Sequence, residues 1–141
     1  MNDEQYVLEA LQSATLAAVA ASSDATLAVK YAGLPINPPS SGKWLEVIQI
    51  PNNFERDWGS EKVYQGLLRL LLHWPIDGQG AYPPMNLLKS ISSYFYKGRK
   101  LKDSGNNIEV VVLTNPDFMG ILEEPPEVVY PVSIRYRCYV R

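Results

Sequence analysis

The stretch from residue 63 to residue 74 constrains the fold more than any other part of the chain. Five leucines lie between Gly66 and Trp74, and Pro75 follows. The stretch is apolar on both faces, as in a strand that is buried on both sides. A buried helix would show the same apolarity, but Gly66 and Pro75 favour a strand. We therefore predict a central strand that pairs with residues 43–50 through a hairpin with a long connector over residues 52–62.

Helical spacing elsewhere in the chain predicts two helices that cover this sheet. Residues 3–21 repeat apolar side chains every three or four positions behind Asn2 or Asp3, either of which can cap a helix. A second helix is expected to begin at Pro83 or Pro84 and to end near Lys97, where Gly98 suits a helix terminus. Further strands are expected at residues 26–32, 108–113 and 130–140, with a long loop at 114–129. These elements predict one α+β domain over residues 1–141, with a mixed or antiparallel sheet of about five strands covered by two helices.

Composition limits the classes of function. The chain has 141 residues, 46% hydrophobic and 20% charged, which is typical of one globular domain. The net charge of −2 argues against general DNA binding, which needs a basic surplus. The single cysteine, Cys138, excludes an intrachain disulfide and fits a reducing compartment. We see neither a secretory signal nor an apolar run long enough for a membrane span, so we expect synthesis in the cytoplasm and no membrane partner.

Few residues have the chemistry of a catalytic site. His73, the single histidine, is either a general base or a strand residue with satisfied hydrogen bonds. Cys138 could pair with His73 as a nucleophile, but its place in an alternating strand favours a small buried side chain. One histidine and one cysteine do not supply a metal site of the usual type. We therefore expect no enzyme, no cofactor and no metal.

Two loops look like weak versions of known sites. Gly78 and Gly80 precede a helix, but the Lys-Ser or Lys-Thr of a phosphate loop is missing, and a need for positive φ explains these glycines better. Glu123, Glu124 and Glu127 could form a cation site or an acid–base pair. A solvated acidic loop is the simpler interpretation.

Arginines give the last strand a basic face. Arg135, Arg137 and Arg141 alternate with apolar residues, so they point to the same side of the strand. This face either meets acidic groups of a neighbouring subunit or passing DNA, or it is a solvated sheet face with local salt bridges.

The hairpin connector is a second candidate for a protein interface. It places aromatic side chains next to charged ones, a combination that anchors many interfaces when it is exposed. The alternative is that its aromatic rings fold back onto the sheet. The candidate interface residues of the connector are Phe54, Arg56, Asp57 and Trp58.

Several segments, in their order along the chain, resemble phage tail terminator proteins. A short strand and a Pro-rich stretch at residues 28–39 lead into Gly-Lys-Trp-Leu-Glu-Val at 42–47. The returning strand at 64–70 ends in Trp74-Pro75, and a helix ends in Phe-Tyr-Lys-Gly-Arg-Lys-Leu at 95–101. The chain closes with Tyr-Pro-Val-Ser-Ile-Arg-Tyr-Arg at 130–137. The resemblance covers nearly the whole chain and departs from the family pattern in the acidic Pro-rich loop.

The resemblance implies a role in virion assembly at the head-proximal end of the tail. Tail terminators form a hexameric ring that caps the tail tube, ends its polymerisation and offers a docking surface for the head. The implied partners are copies of the chain itself, the tail tube protein and a head-completion or neck protein. DNA would pass through the ring without being specifically bound. Such a ring uses two different patches on each subunit.

Three other functions stay open at this point. A neck or head-completion connector protein would share the α+β pattern and the assembly role. A small enzyme would use His73 and the loop at residues 78–80. A small-ligand or peptide-binding module is the third possibility. Negative-stain images distinguish these functions, because only the assembly proteins would appear as rings or on tube ends.

Overall fold

The computed structural model describes residues 2–31, 37, 39–55 and 62–140. Two α-helices and nine strands lie within these residues, and a short 3-10 helix at Ser93–Phe95 follows the second α-helix. In chain order the elements are α1 (Asp3–Ala20), β1 (Ala28–Tyr31), β2 (Trp44–Pro51), β3 (Phe54–Glu55), β4 (Lys62–Pro75), α2 (Tyr82–Ser92), β5 (Lys100–Lys102), β6 (Glu109–Val112), β7 (Asp117–Phe118), β8 (Leu122–Glu124) and β9 (Glu127–Val140).

Helix α1 begins with a reciprocal cap at Asn2, one of the two residues that the sequence offered as a cap. The Asn2 side chain accepts a hydrogen bond from the Gln5 backbone N–H at 2.9 Å, and the Gln5 side chain accepts one from the Asn2 backbone N–H at 2.8 Å. The buried side of α1 is rich in alanine, which lets the helix lie close to the sheet. Thr15 is fully buried there, and its hydroxyl donates to the Leu11 carbonyl at 2.9 Å. The helix therefore buries no unpaired hydroxyl.

The sheet is built around β4, which confirms the predicted central strand. The main strand order is β1-β2-β4-β9-β6-β5. Strand β4 pairs antiparallel with β2 on one side and, along its whole length, with β9 on the other. Strand β1 runs parallel to β2, so the sheet is mixed. The α+β fold with two helices on one sheet is confirmed.

The described sheet has more strands than the expected five or so. Strand β3 forms inside the predicted hairpin connector, while β7 and β8 form inside the predicted loop at 114–129. Strand β9 also begins at Glu127 rather than Tyr130, and β5 follows the second helix. Each added strand is two or three residues long. A strand of that length is too short to show an alternation of apolar and polar residues in the sequence. It forms because a longer neighbouring strand offers it backbone hydrogen bonds.

The two faces of β4 differ in their cover. Leu68, Leu70 and Leu72 are fully buried in the core beneath the helices. Leu67 and Leu71 point the opposite way and are only half-buried. The prediction of burial on both sides is therefore wrong for the second face, which we call the outer face of the sheet. Neither helix covers this face. Every second residue of β4 from Gln65 to His73 lies on it.

Helix α2 is shorter than the sequence predicted. Prolines occupy its first turn as expected, but the α-helix ends at Ser92 and a 3-10 turn continues to Phe95. Gly98 adopts a φ of 86°, and its N–H donates to the Val112 carbonyl at 2.7 Å. The chain thus leaves the helix and enters β5 directly, where Leu101 is buried.

Candidate assembly surfaces

His73 lies at the junction of three strands on the outer face. Its ring stacks on Trp44 of β2, with ring centroids 3.7 Å apart and planes inclined by 6°. Its Nε2 lies 3.1 Å from a carboxylate oxygen of Glu46 on β2, and its Nδ1 lies 3.1 Å from one of Glu127 on β9. The protonated imidazole donates to both carboxylates, whereas the neutral ring has one N–H and donates to one. His73 therefore connects β2 and β9 across β4.

The strand register separates His73 from Cys138, so the alternative in which they pair as base and nucleophile is excluded. Cys138 pairs in register with Tyr64, whereas His73 pairs with Val129, nine residues away along β9. That separation is about 30 Å at the usual rise of a strand. Burial raises the pKa of the Cys138 thiol, which disfavours a reactive thiolate. Cys138 is 1% exposed and lies in the core, as the sequence predicted.

The glycine loop and the acidic residues after it have ordinary structural roles where the structure describes them. Gly78 and Gly80 adopt φ angles of 79° and 78°, the backbone geometry that was expected for them. Glu127 is not in a solvated loop as predicted, because it begins β9 and contacts His73. Within the described ranges, no three His, Cys, Asp or Glu side chains are grouped so that they could hold a metal ion. No helix among these residues has the length and apolarity needed to cross a membrane.

The arginines of β9 lie on the outer face, on the side opposite the buried residues of the strand. Ile134, Tyr136 and Cys138 are at most 1% exposed, whereas Arg135 is exposed. Arg137 is half-buried, and its Nε donates to the Gln65 side chain at 3.0 Å. The predicted alternation of apolar and basic faces is therefore present in β9. Arg141 lies outside the described residues, and the interface role of the row stays a prediction.

Strand pairing adds a third arginine that the sequence analysis missed. Arg69 of β4 lies opposite Ser133, and the next outer-face pair is Leu67 with Arg135. Arg69 and Arg135 are thus diagonal neighbours on the outer face. Long side chains at such positions are close enough to share a contact partner. The Nε of Arg69 is buried without a hydrogen-bond partner among the described residues. The alternation within β4 gave the face of Arg69, but only the register of β4 against β9 could show that it joins the row.

A groove runs beside these arginines on the outer face. It encloses about 310 Å³ between the end of β2, the β4–β9 pair and the residue after β6. We call it the arginine groove, and its walls include Ile50, Leu67, Leu113, Arg135 and Arg137. Ile50 is 41% exposed, so the groove combines an accessible apolar side with positive charge. Such a surface fits a partner that presents apolar and acidic groups together.

The opposite end of β9 has the reverse character. There β8 and β9 form a hairpin, and all three residues of β8 are exposed. Ile121 and Leu122 are 45% and 49% exposed, and Glu123 and Glu124 follow them directly. We call residues 121–126 the acidic hairpin. Burial raises the pKa of the neighbouring Tyr130, and the charges of Asp77 and Glu123 raise it further. This end of the sheet therefore carries a negative potential.

A second apolar groove lies beside α2. It encloses about 340 Å³, and its walls include the exposed apolar side chains of Tyr82, Met85 and Phe118. Lys89 stands at its wall. A contiguous exposed apolar surface of this kind often marks a site of contact with another molecule.

The predicted connector interface lies largely outside the described residues. The backbone of Phe54 is in β3, which pairs with the start of β4. Arg56, Asp57 and Trp58 are not among the described residues. The connector is therefore shorter than predicted, and the role of these four residues as an interface stays a prediction.

Comparison with known proteins identifies the family. A family model described as phage tail terminator protein matches residues 7–136. One solved structure is similar with a TM-score of 0.78 at 18% identity, over 98% of this chain and 96% of that one. A chain from the virion of a native gene transfer agent particle is similar with a TM-score of 0.55 at 18% identity, over 98% of this chain and 95% of that one. No curated protein sequence matches significantly. The family match spans nearly the whole chain, and the protein therefore belongs to the phage tail terminator family of structural virion proteins.

Proposed function

We propose that the protein caps the phage tail tube as a ring, ends polymerisation of the tube and forms the surface on which the head docks. The family match supports a structural role in the phage tail. The observation that carries the proposal is that one subunit exposes two unlike surfaces, the arginine groove and the acidic hairpin, toward opposite ends of β9. A closed ring needs two different patches on each subunit.

The proposed partners are further copies of the chain in a hexamer, the tail tube protein and a head-completion or neck protein. The similar chain from the gene transfer agent belongs to a virion, which supports assembly with other tail or head proteins. DNA passes through the ring without specific binding, in keeping with the net charge of −2. The protein is synthesised in the host cytoplasm and ends at the head-proximal end of the tail.

Each candidate residue has a proposed place in this assembly. The connector residues Phe54, Arg56, Asp57 and Trp58 contact the tail tube or a neighbouring subunit. Arg135, Arg137 and Arg141 contact a neighbouring subunit. His73 has a structural role, because Glu46 and Glu127 already occupy both of its ring nitrogens. The protein therefore performs no catalysis in this proposal.

The test uses purified protein and growing tail tubes. Negative-stain images are expected to show a ring at one tube end, and added protein is expected to stop elongation. Tubes that keep growing with bare ends would refute the capping function. Binding to isolated heads or portals in place of tube ends would favour the neck connector instead.

A further inference from the structure

One charge of the arginine groove, that of Arg135, has no acidic partner among the described residues of its own subunit. Arg135 is exposed, and no described residue forms an ion pair with it. Beside it the Nε of Arg69 is buried without a hydrogen-bond partner in the described residues. Buried polar groups in folded proteins are normally paired, so this part of the outer face is incomplete in the isolated subunit. Arg135 is the exposed arginine here, and a carboxylate of a docking partner could pair with it.

The acidic hairpin is complementary in charge to the arginine groove. It presents Ile121 and Leu122 together with Glu123 and Glu124, all exposed. The arginine groove presents Ile50 and Leu67 together with Arg135. Each surface thus has an apolar part and a charged part, and the charges are opposite. Apolar contact would supply affinity, while the charges would fix the orientation of the two surfaces.

The hairpin of a subunit cannot reach the groove of the same subunit. Glu124 pairs with Glu127 at the start of β9, and Arg135 lies eight residues further along that strand. A strand rises about 3.3 Å per residue, so about 26 Å of rigid sheet separates the two surfaces. Only a hairpin from another molecule can meet the groove. The contact would join opposite ends of β9 in two copies and would therefore be head-to-tail.

We propose that the acidic hairpin of one subunit docks in the arginine groove of the next, and that this contact closes the ring. The proposal rests on the proposed function and names the surfaces through which subunits of the ring recognise one another. A head-to-tail contact repeats from subunit to subunit and forms a ring when the rotation closes. Arginine suits this contact, because its planar guanidinium binds a carboxylate through two parallel hydrogen bonds.

The test exchanges the charges of the two surfaces. Variant A carries Arg135→Glu, and variant B carries Glu123→Lys and Glu124→Lys together. In variant A a carboxylate stands at position 135 of the groove, beside the remaining Arg137, and faces the carboxylates of the hairpin. In variant B a positive groove faces a positive hairpin. Each variant alone is expected to assemble at least roughly tenfold more weakly than wild type, since like charges across an interface cost several kcal/mol.

A mixture of the two variants is expected to restore assembly. The new carboxylate in the groove of A can pair with the new lysines in the hairpin of B, and the wild-type groove of B matches the wild-type hairpin of A. Alternating A and B subunits therefore satisfy every contact in a ring with an even number of subunits. Ring formation is measured by native mass spectrometry and by counts of capped tube ends for A, for B and for the equimolar mixture.

Lys97→Glu provides the matched control. Lys97 is exposed and outside the groove, and its substitution makes the same change in net charge as Arg135→Glu. This control is expected to assemble like wild type, and circular dichroism is expected to show all variants folded, because the changed residues are exposed. Wild-type assembly is also expected to weaken as salt is raised, because charges are screened over about 8 Å at physiological ionic strength.

The outcomes separate this contact from the proposed function. If variants A and B assemble like wild type, or if the mixture fails where each variant fails, the hairpin and the groove do not meet and the proposal is wrong. If wild type forms rings in those experiments, the capping function stands. If wild type neither forms rings nor caps tubes, the proposed function itself is refuted.

Discussion

Replacing Gly66 with alanine tests the packing of the central strand. Gly66 lies opposite Pro51 of β2 and Tyr136 of β9, where all three strands run side by side. An added Cβ would stand 2.2 Å from the Ile50 carbonyl oxygen and 2.9 Å from the Pro51 Cα. It would also stand 3.0 Å from the Tyr136 hydroxyl, which accepts a hydrogen bond from the Gln49 side chain at 2.9 Å. The two nearest atoms belong to backbone and cannot rotate away.

The cost follows from this geometry. Overpacking a well-packed interior typically costs about 1–3 kcal/mol, and a backbone clash belongs at the upper end. A loss of about 3 kcal/mol corresponds to a fall in Tm of roughly 10 °C for a chain of this length. The φ of 159° at Gly66 also disfavours an L side chain, so alanine would be unfavourable here even without the clash. The clash and the backbone conformation therefore both lower the stability of the variant.

Thermal unfolding followed by circular dichroism measures the loss of stability in Gly66→Ala relative to wild type. Gly80→Ala is the control, since no atom lies within 4 Å of its added Cβ and only its φ of 78° opposes the change. That left-handed geometry costs about 1–2 kcal/mol. The clash argument fails if Gly66→Ala leaves Tm unchanged or raised, or lowers it no further than Gly80→Ala does.

Three further predictions concern other parts of the molecule. His73→Ala removes the partner of two carboxylates and is expected to lower the free energy of unfolding by roughly 2 kcal/mol in chemical denaturation. Tube capping is expected to persist, and its loss in a folded variant would contradict a purely structural role. Burial opposes ionisation of Asp103, but hydrogen bonds from Ile108, Asn107 and Gly105 outweigh it and lower the pKa of its carboxyl. The Asp103 carboxylate therefore stabilises the fold at neutral pH and loses this effect as pH falls through its folded pKa. The Tm difference between wild type and Asp103→Ala is expected to narrow in acid, and a difference that widens there would refute the assignment. Phe54→Ala and Trp58→Ala are expected to weaken contacts with the tube or a neighbouring subunit by roughly 2 kcal/mol each in a tail-length assay, with the monomer still folded; normal capping by both would remove the connector from the interface.

Local patterns determined much of the fold. The cap at Asn2, the helical repeat of α1 and the prolines of α2 were readable because they act within a few residues of one another. The central position of β4 followed from its length and apolarity, and the two faces of β9 followed from a period of two. The order of several short motifs along the chain was enough to suggest the tail terminator family, which the match over residues 7–136 confirms.

Long-range strand pairing decided the remaining features. The register of β4 against β9 brings Arg69 beside Arg135, and the register of β2 against β4 stacks Trp44 on His73. It also brings Glu46 and Glu127, from strands far apart in sequence, to the two nitrogens of one imidazole. Strands β3, β7 and β8 exist because β4 and β9 offer them free edges. The sequence alone determined which side chains share a face of a strand, because alternation is local. Only the tertiary structure decided which faces meet, because pairing joins residues that no local pattern relates.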